Sequence, residues 1–236
     1  MSQLPSMWVN INSDDNIALS GNNTSVTRIS DSNSVTGVSD AFLPSFLTAN
    51  HDIPMSNNFY FEVMVLQGNN HIAVGLGRCV ITYDTSTQTN SSWPSTNSFV
   101  YHSDSGNIWL HEIGKDYGLP LNINDVLGCG IDRGKQSIFF TINGTFWGEA
   151  FHLDSIPSLI PVVGIRGIGT TIKTNFGQDP FIYQPNQVPV LNFPTPTSFY
   201  DEWVNHANFS SQSTDGKYYR CIFIKIFVIN FVNRII

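Results

Sequence analysis

From Phe59 onward the chain alternates. In "FYFEVMVL" (59–66), Phe59, Phe61, Val63 and Val65 fall on one face, and Tyr60, Glu62, Met64 and Leu66 on the other, the two-residue period of a strand. The segment is β-branched and aromatic, too short for a typical helix, and closed by Gly68-Asn69-Asn70, so it predicts a strand and a turn. "HIAVGLG" (71–77) follows as its hairpin partner. A polar loop over 82–98 holds Trp93-Pro94. "FVYHSDSGNIWLHEIG" (99–114) then reads as two short strands around the turn "SDSG", and "KDYGLPLNIN" (115–124) as a loop.

The register of the next stretch, "NDVLGCGIDRGKQSIFFTING" (124–144), follows from its turns. With Arg133 to Gln136 as a four-residue turn, Ile131 faces Ile138, Cys129 faces Phe140 and Leu127 faces Ile142. Directly opposed residues of an antiparallel pair share a face, so one face is wholly apolar. On the other face Gly130 opposes Phe139, and Gly128 opposes Thr141. Asn143-Gly144 predicts a tight hairpin, because both residues tolerate positive φ. That second register sets Trp147 beside Phe140 and Gly148 beside Phe139, so the Phe139 ring lies across two glycines.

"LIPVVGIRG" (159–167) and "TIKTNF" (171–176) continue the pattern. About nine short strands follow Phe59, and no segment has helical periodicity. The expectation is an all-β sandwich or barrel. Residues 1–57 are polar and irregular, with "MWVNI" (7–11) and "NIALSG" (16–21) as edge strands and "DIPMSNN" (52–58) as a loop. After Phe181-Ile182-Tyr183, the proline-rich "QPNQVPVLNFPTPT" (184–197) reads as an extended exit, and 198–209 has room for one or two helical turns. The expected organisation is a domain over 1–185 with its core in 51–183, a Pro/polar linker over 186–216, and a hydrophobic tail over 217–236.

That tail has its own problem. Its apolar run is broken by Lys225 and Asn230, is too short for a comfortable membrane span, and lacks amphipathic spacing. Of the last 20 residues, 15 are Lys, Tyr, Ile, Phe or Asn, types that A/T-only codons encode, as in translated AT-rich intron. A membrane is expected as a partner only if this tail belongs to the natural protein.

Charge narrows the function classes. The net charge is −7, with 11 Lys+Arg against 18 Asp+Glu, which argues against a nucleic-acid or anionic-membrane footprint. Charged residues make up 12% of the chain, a composition suited to turn-rich β structure. Cys79, Cys129 and Cys221 form no CxxC, so neither a disulfide framework nor a structural zinc site is expected. The start, "MSQLPSMWVNINSDDN", lacks the basic region and apolar run of a secretory signal. N-x-[ST] sequons at Asn22, Asn23, Asn90, Asn143 and Asn208 are chance products of an Asn/Ser/Thr-rich chain. The expected location is cytoplasmic, in the cytosol or on an organelle surface.

With the strands placed, the sequence resembles a SPRY domain over roughly Trp8 to Tyr183. The matching pieces are "HDIPMSNNFYFEV" (51–63), "VGLG" (74–77), Trp93, "VYHSDSGNIW" (100–109), "DYGLPLNINDVLGCGID" (116–132), "SIFFTINGTFWGEAF" (137–151), "LIPVVGI" (159–165) and "NFGQDPFIY" (175–183). Within the family it is most similar to two groups: the Ran-binding-protein scaffolds associated with a multisubunit ubiquitin ligase, and fungal adaptors that bring a ubiquitin ligase to membrane cargo. The resemblance implies a bent sandwich of two antiparallel sheets, a concanavalin-like jelly roll, with no catalytic residues. Loops at one side would bind short peptides of partner proteins. By the family's pattern that surface includes the loop around Trp93, the "YHSDSG" turn from Tyr101, and the loop after Ile165. The tryptophan that some members place in this last loop is absent; Arg166-Gly167-Ile168-Gly169 stands there. The helical modules of the scaffold group and the PPxY-type motifs of the adaptor group are not found.

The residues themselves add candidates. Tyr83, Trp93, Trp109 and Tyr117 lie in or beside loops, where aromatics anchor peptides at low entropic cost. His102 and Asp104 suit hydrogen bonds to a peptide, and Arg166 suits a carbonyl or carboxylate. Against an enzyme, "GLGRC" and "GIRGIGT" lack phosphate-loop or dinucleotide spacing. Asp125 and Asp132, seven positions apart on one strand at roughly 3.3 Å per residue, lie too far apart to act as a pair and suit turn hydrogen bonds. His111 and Glu112 point to opposite faces, and no third metal ligand follows His102 and Asp104. Cys129 falls on the apolar face as an inert thiol. No cofactor or metal is expected. The reading is a non-enzymatic module that recognises short peptides, with a ubiquitin-ligase component or substrate among its expected partners. The alternatives are a lectin-like sugar-binding sandwich, or a hydrolase using glutamates such as Glu62 or Glu149.

Overall fold

The computed structural model describes residues 3–10, 14–30, 45–68, 71–77, 98–110 and 113–184. Among them are fourteen strands and no helix. They are β1 (Trp8–Val9), β2 (Ile17–Ser20), β3 (Ser25–Arg28), β4 (Ser45–Ala49), β5 (Phe59–Gln67), β6 (Ile72–Gly77) and β7 (Ser98–His102), then β8 (Asn107–Leu110), β9 (Ile113–Asp116), β10 (Val126–Asp132), β11 (Ser137–Ile142), β12 (Thr145–His152), β13 (Ile160–Ile165) and β14 (Thr171–Asn175).

Two seven-stranded sheets result. The first runs β1-β4-β13-β6-β7-β8-β9, the second β12-β11-β10-β5-β14-β3-β2. All pairings are antiparallel. The apolar faces of the sheets form one core. Leu47, Val74, Leu76, Ile108 and Val163 come from the first sheet, and Phe61, Val63, Leu127, Cys129, Ile138 and Phe140 from the second. This is the expected sandwich.

The β10–β11 register is the expected one: Ile131 opposite Ile138, Cys129 opposite Phe140, Gly130 opposite Phe139 and Gly128 opposite Thr141. A Cβ on Gly130 would stand 2.3 Å from Cζ of Phe139, so the ring does lie across that glycine. The second glycine behaves differently. The β11–β12 ladder slips, and Glu149, not Gly148, stands opposite Phe139. Gly148 takes φ +97 at the slip, with nothing within 4 Å of the Cβ position. It is the inserted residue of a β-bulge. Asp125 and Asp132 close turns, as their spacing suggested. Asp125 accepts from the Asn122 N–H at 2.7 Å and the Asn143 amide at 2.8 Å; Asp132 accepts from the N–H groups of Gly134 and Lys135.

Three expectations need correction. β5 and β6 do not form a hairpin. Both edges of β5 are taken by β10 and β14, and β6 lies between β13 and β7 in the other sheet. Gly68, at φ +108 with its Cβ position 2.4 Å from Cα of Thr170, is where the chain leaves the second sheet. The loop read over 115–124 begins inside β9, which pairs with β8 through Lys115 and Asp116. The segment read as irregular holds β3 and β4 as well as the two expected edge strands.

That N-terminal segment ties the sheets together. Trp8, fully buried, sends its indole N–H from the first sheet to Thr174 Oγ1 in the second at 2.8 Å. It packs edge-on to Phe61 and Phe176. Arg28, also buried, reaches from the second sheet to Ser45 Oγ and the Ile165 carbonyl in the first, both at 3.0 Å. Buried charge is tolerated only where such bonds satisfy it. Linker and tail, 186–236, lie outside the described residues.

Candidate functional site

Three segments meet at one end of the first sheet: His71 before β6, the turn 103–106 after β7, and Arg166 to Thr170 after β13. Ser103 locks the first two. Its N–H donates to the Ile72 carbonyl and its hydroxyl accepts the Ile72 N–H, each at 2.9 Å. Gly106, at φ +77, closes the turn by donating to the His102 carbonyl. The third segment joins through the Arg166 N–H, which donates to the His71 carbonyl at 2.9 Å. Gly167 and Gly169 take φ +87 and +80, and the Thr170 hydroxyl donates back to the Arg166 carbonyl.

On this frame the polar side chains gather. His71 Nδ1 lies 3.6 Å from Asp104 Oδ2, both side chains partly exposed. Arg166 is half-buried and Ile168 exposed. Behind them the His102 ring, 8% exposed, stacks on Trp109 with centroids 5.2 Å apart. Trp109 lies across Gly114, whose Cβ position is 2.7 Å from the indole. Burial lowers His102 to about 4; Asp104 opposes that shift and the Arg166 charge reinforces it. Burial also lowers Arg166, against the pull of Asp104. The imidazole is therefore neutral at pH 7, a flat wall rather than a cation.

The expected site residues thus divide. His102, Asp104, Trp109 and Arg166 come together. Tyr101 does not reach the surface, and the hydroxyl of the half-buried Tyr117 is engaged by the backbone of the second sheet. Tyr101 is fully buried, donates to the Leu119 carbonyl and packs on Phe140. Alternation along β7 turns it inward, on the side opposite His102. The Tyr117 phenol donates to the Gly148 carbonyl at 2.6 Å and accepts the Phe140 N–H. Burial pushes both phenols up. Tyr83 and Trp93 lie outside the described residues, as do Cys79, His111 and Glu112. His71 escaped the sequence reading, because nothing in its "NNHIAVG" context marks a partner 33 positions away.

Among the described residues, no group of three or more His, Cys, Asp or Glu is placed to hold a metal ion. Glu62 is buried, and its carboxylate accepts from Tyr60 and from two backbone N–H groups. Cys129 is buried, and burial raises its thiol.

Two antiparallel seven-stranded sheets around one core define a β-sandwich. Residues 58–179 match the family model of the SPRY domain, and the chain belongs to that family. It is 33% identical over 135 residues to Ran-binding protein 9 of Xenopus tropicalis, an alignment covering 56% of this chain and 24% of that one. It is 31% identical over 180 residues to the Ran-binding proteins 9/10 homolog of Drosophila melanogaster, covering 75% and 18%. The chain thus spans about a quarter or less of the length of these relatives. Among solved structures, the SPRY domain of human HERC1 superposes with a TM-score of 0.52 at 16% identity, covering 70% of this chain and 94% of that one. A human SPRY domain gives 0.51 at 23% identity, covering 74% and 100%. SPRY domains are in general protein–protein interaction modules and typically non-catalytic.

Proposed function

We propose that this domain binds a short peptide segment of a partner protein at the loop end of the first sheet. The observation that carries the reading is the His102–Trp109 stack rimmed by His71, Asp104 and Arg166. Peptide recognition needs an apolar wall for a side chain and a few placed polar groups for the backbone or a terminus. Trp109, backed by the neutral His102 ring, supplies the wall. Asp104 supplies an acceptor for peptide N–H groups, and Arg166 a planar donor for a carbonyl or carboxylate. The turns carrying them are fixed by backbone bonds, so little ordering cost falls on binding. The sequence candidates Tyr83 and Trp93 act as further peptide anchors.

A role as scaffold or substrate adaptor in ubiquitin ligation, in the cytoplasm, goes with this reading and rests on the resemblance to the two ligase-associated groups. Residues 1–185 act as the binding domain, and 186–216 as its linker.

Selection of a random peptide library on the full chain, beside a glycan array, tests the reading. The expected result is a convergent peptide motif and no glycan signal. Glycan binding without a peptide motif would make the domain a lectin-like sandwich instead.

A further inference from the structure

The outer face of the second sheet holds a second built groove, remote in sequence from the loop-end residues and already filled. After β14 the chain reverses through a turn organised by Asn175, whose side chain accepts from the N–H groups of Gly177 and Asp179 and donates to the Asp179 carbonyl. It then returns over the sheet as Phe181-Ile182-Tyr183. These residues alternate: Phe181 and Tyr183 are half-buried and Ile182 is exposed, the habit of an extended peptide lying on a surface. The strap lies just past residues 58–179, which the SPRY family model matches, and within the stretch 175–183 whose sequence resembles the family.

The floor of the groove is cut to fit. Phe181 meets Tyr60 edge-on at 4.9 Å, and Tyr183 packs on Tyr60 at 5.3 Å and Phe139 at 5.9 Å. Glycines let those rings lie flat. A Cβ on Gly128 would stand 2.0 Å from the Tyr60 hydroxyl, and one on Gly130 2.3 Å from Phe139. Gly144 admits Ile182, whose Cγ2 is 2.9 Å from its Cβ position. The polar key is Glu62, 4% exposed. Its Oε1 accepts the N–H of Ile182 at 2.9 Å and of Tyr183 at 3.0 Å, and Tyr60 donates to the same oxygen at 3.0 Å. Tyr60 also bonds Thr141 at 2.8 Å. A buried carboxylate reading two consecutive backbone N–H groups between two aromatic pockets recognises an extended chain, and charge-assisted bonds of this kind are the strong ones.

We propose that this groove is a peptide-binding site for an extended Phe-x-Tyr segment, and that Phe181–Tyr183 occupy it in cis as a displaceable latch. Among the described residues, two backbone bonds, two rings and the contact of Ile182 with Gly144 hold the strap, and no sheet ladder includes it, so it opens without unfolding the sandwich.

The test uses the full chain carrying Phe181→Ala and Tyr183→Ala, with folding checked by circular dichroism. The probe is a fluorescent nonapeptide of sequence QDPFIYQPN, residues 178–186. The folded variant binds it at least roughly tenfold tighter than the wild type, whose groove is filled, and adding Glu62→Gln weakens that binding by roughly tenfold. Equal binding by wild type and variant, or none by the folded variant, overturns the proposal. Hydrogen exchange on the wild type decides the matter if the variant does not fold. The Ile182 and Tyr183 amides exchange faster than that of Val163, and faster still with excess free peptide. Exchange at the core rate, unaltered by peptide, would make the strap a fixed part of the fold and overturn the latch.

Discussion

The phenol of Tyr117 donates to the carbonyl of Gly148 at 2.6 Å and accepts the N–H of Phe140. The bulge at Gly148 interrupts the β11–β12 ladder, and one side chain satisfies backbone groups at the break. Tyr117→Phe keeps the ring and deletes both bonds, so it costs about 1–3 kcal/mol in chemical denaturation. Gly148→Ala meets no atom within 4 Å, yet it costs about 1 kcal/mol from positive φ alone. Neither change alters peptide affinity while the protein is folded.

Gly130 and Phe139 form a testable pair. Gly130→Ala places a methyl where the Phe139 ring lies, at 2.3 Å, and overpacking of this kind costs about 1–3 kcal/mol. In a Phe139→Ala background most of that cost disappears. A double-mutant cycle by urea denaturation reads the coupling, expected at about 1 kcal/mol or more.

His102 makes stability depend on pH. Its value falls from 6.5 in the unfolded chain to about 4 in the fold, first through burial. Between those values the unfolded state binds the proton and the native state does not, so unfolding gains as pH falls. The contribution is complete above pH 6.5 and lost progressively toward pH 4, at most of the order of 3 kcal/mol. Denaturation midpoints at pH 7 and pH 5 show a drop in the wild type that is smaller in His102→Gln. Asp104 and Arg166, whose charges act on the ring, are unchanged in that variant.

How far the sequence spoke depends on which force fixed each feature. The β10–β11 register was legible because turn and alternation both act within 20 residues. The slip at Gly148 was not, since a glycine in a strand reads equally as a flat neighbour for Phe139 or as a bulge. β6 was misassigned to β5 because alternation shows that a strand exists and not which sheet takes it; the competition of β10 and β14 for the edges of β5 is tertiary. The hairpin around "SDSG" was legible, but the stack of His102 on Trp109 across it was not, since Trp109 stands opposite Val100 and meets His102 diagonally. Tyr101 was misjudged because membership in a turn motif hid its inward parity. His71 reaches Asp104 only through β6 and β7 pairing, and the Glu62 latch needs a chain reversal about 120 residues after the carboxylate.

The most direct measurement is the dissociation constant of a library-selected peptide for the wild type and for Arg166→Ala, both as folded full-length chains. The loop-end account predicts weakening by roughly thirtyfold, the loss of about 2 kcal/mol at an anchoring arginine. Equal affinity for the two proteins would contradict it.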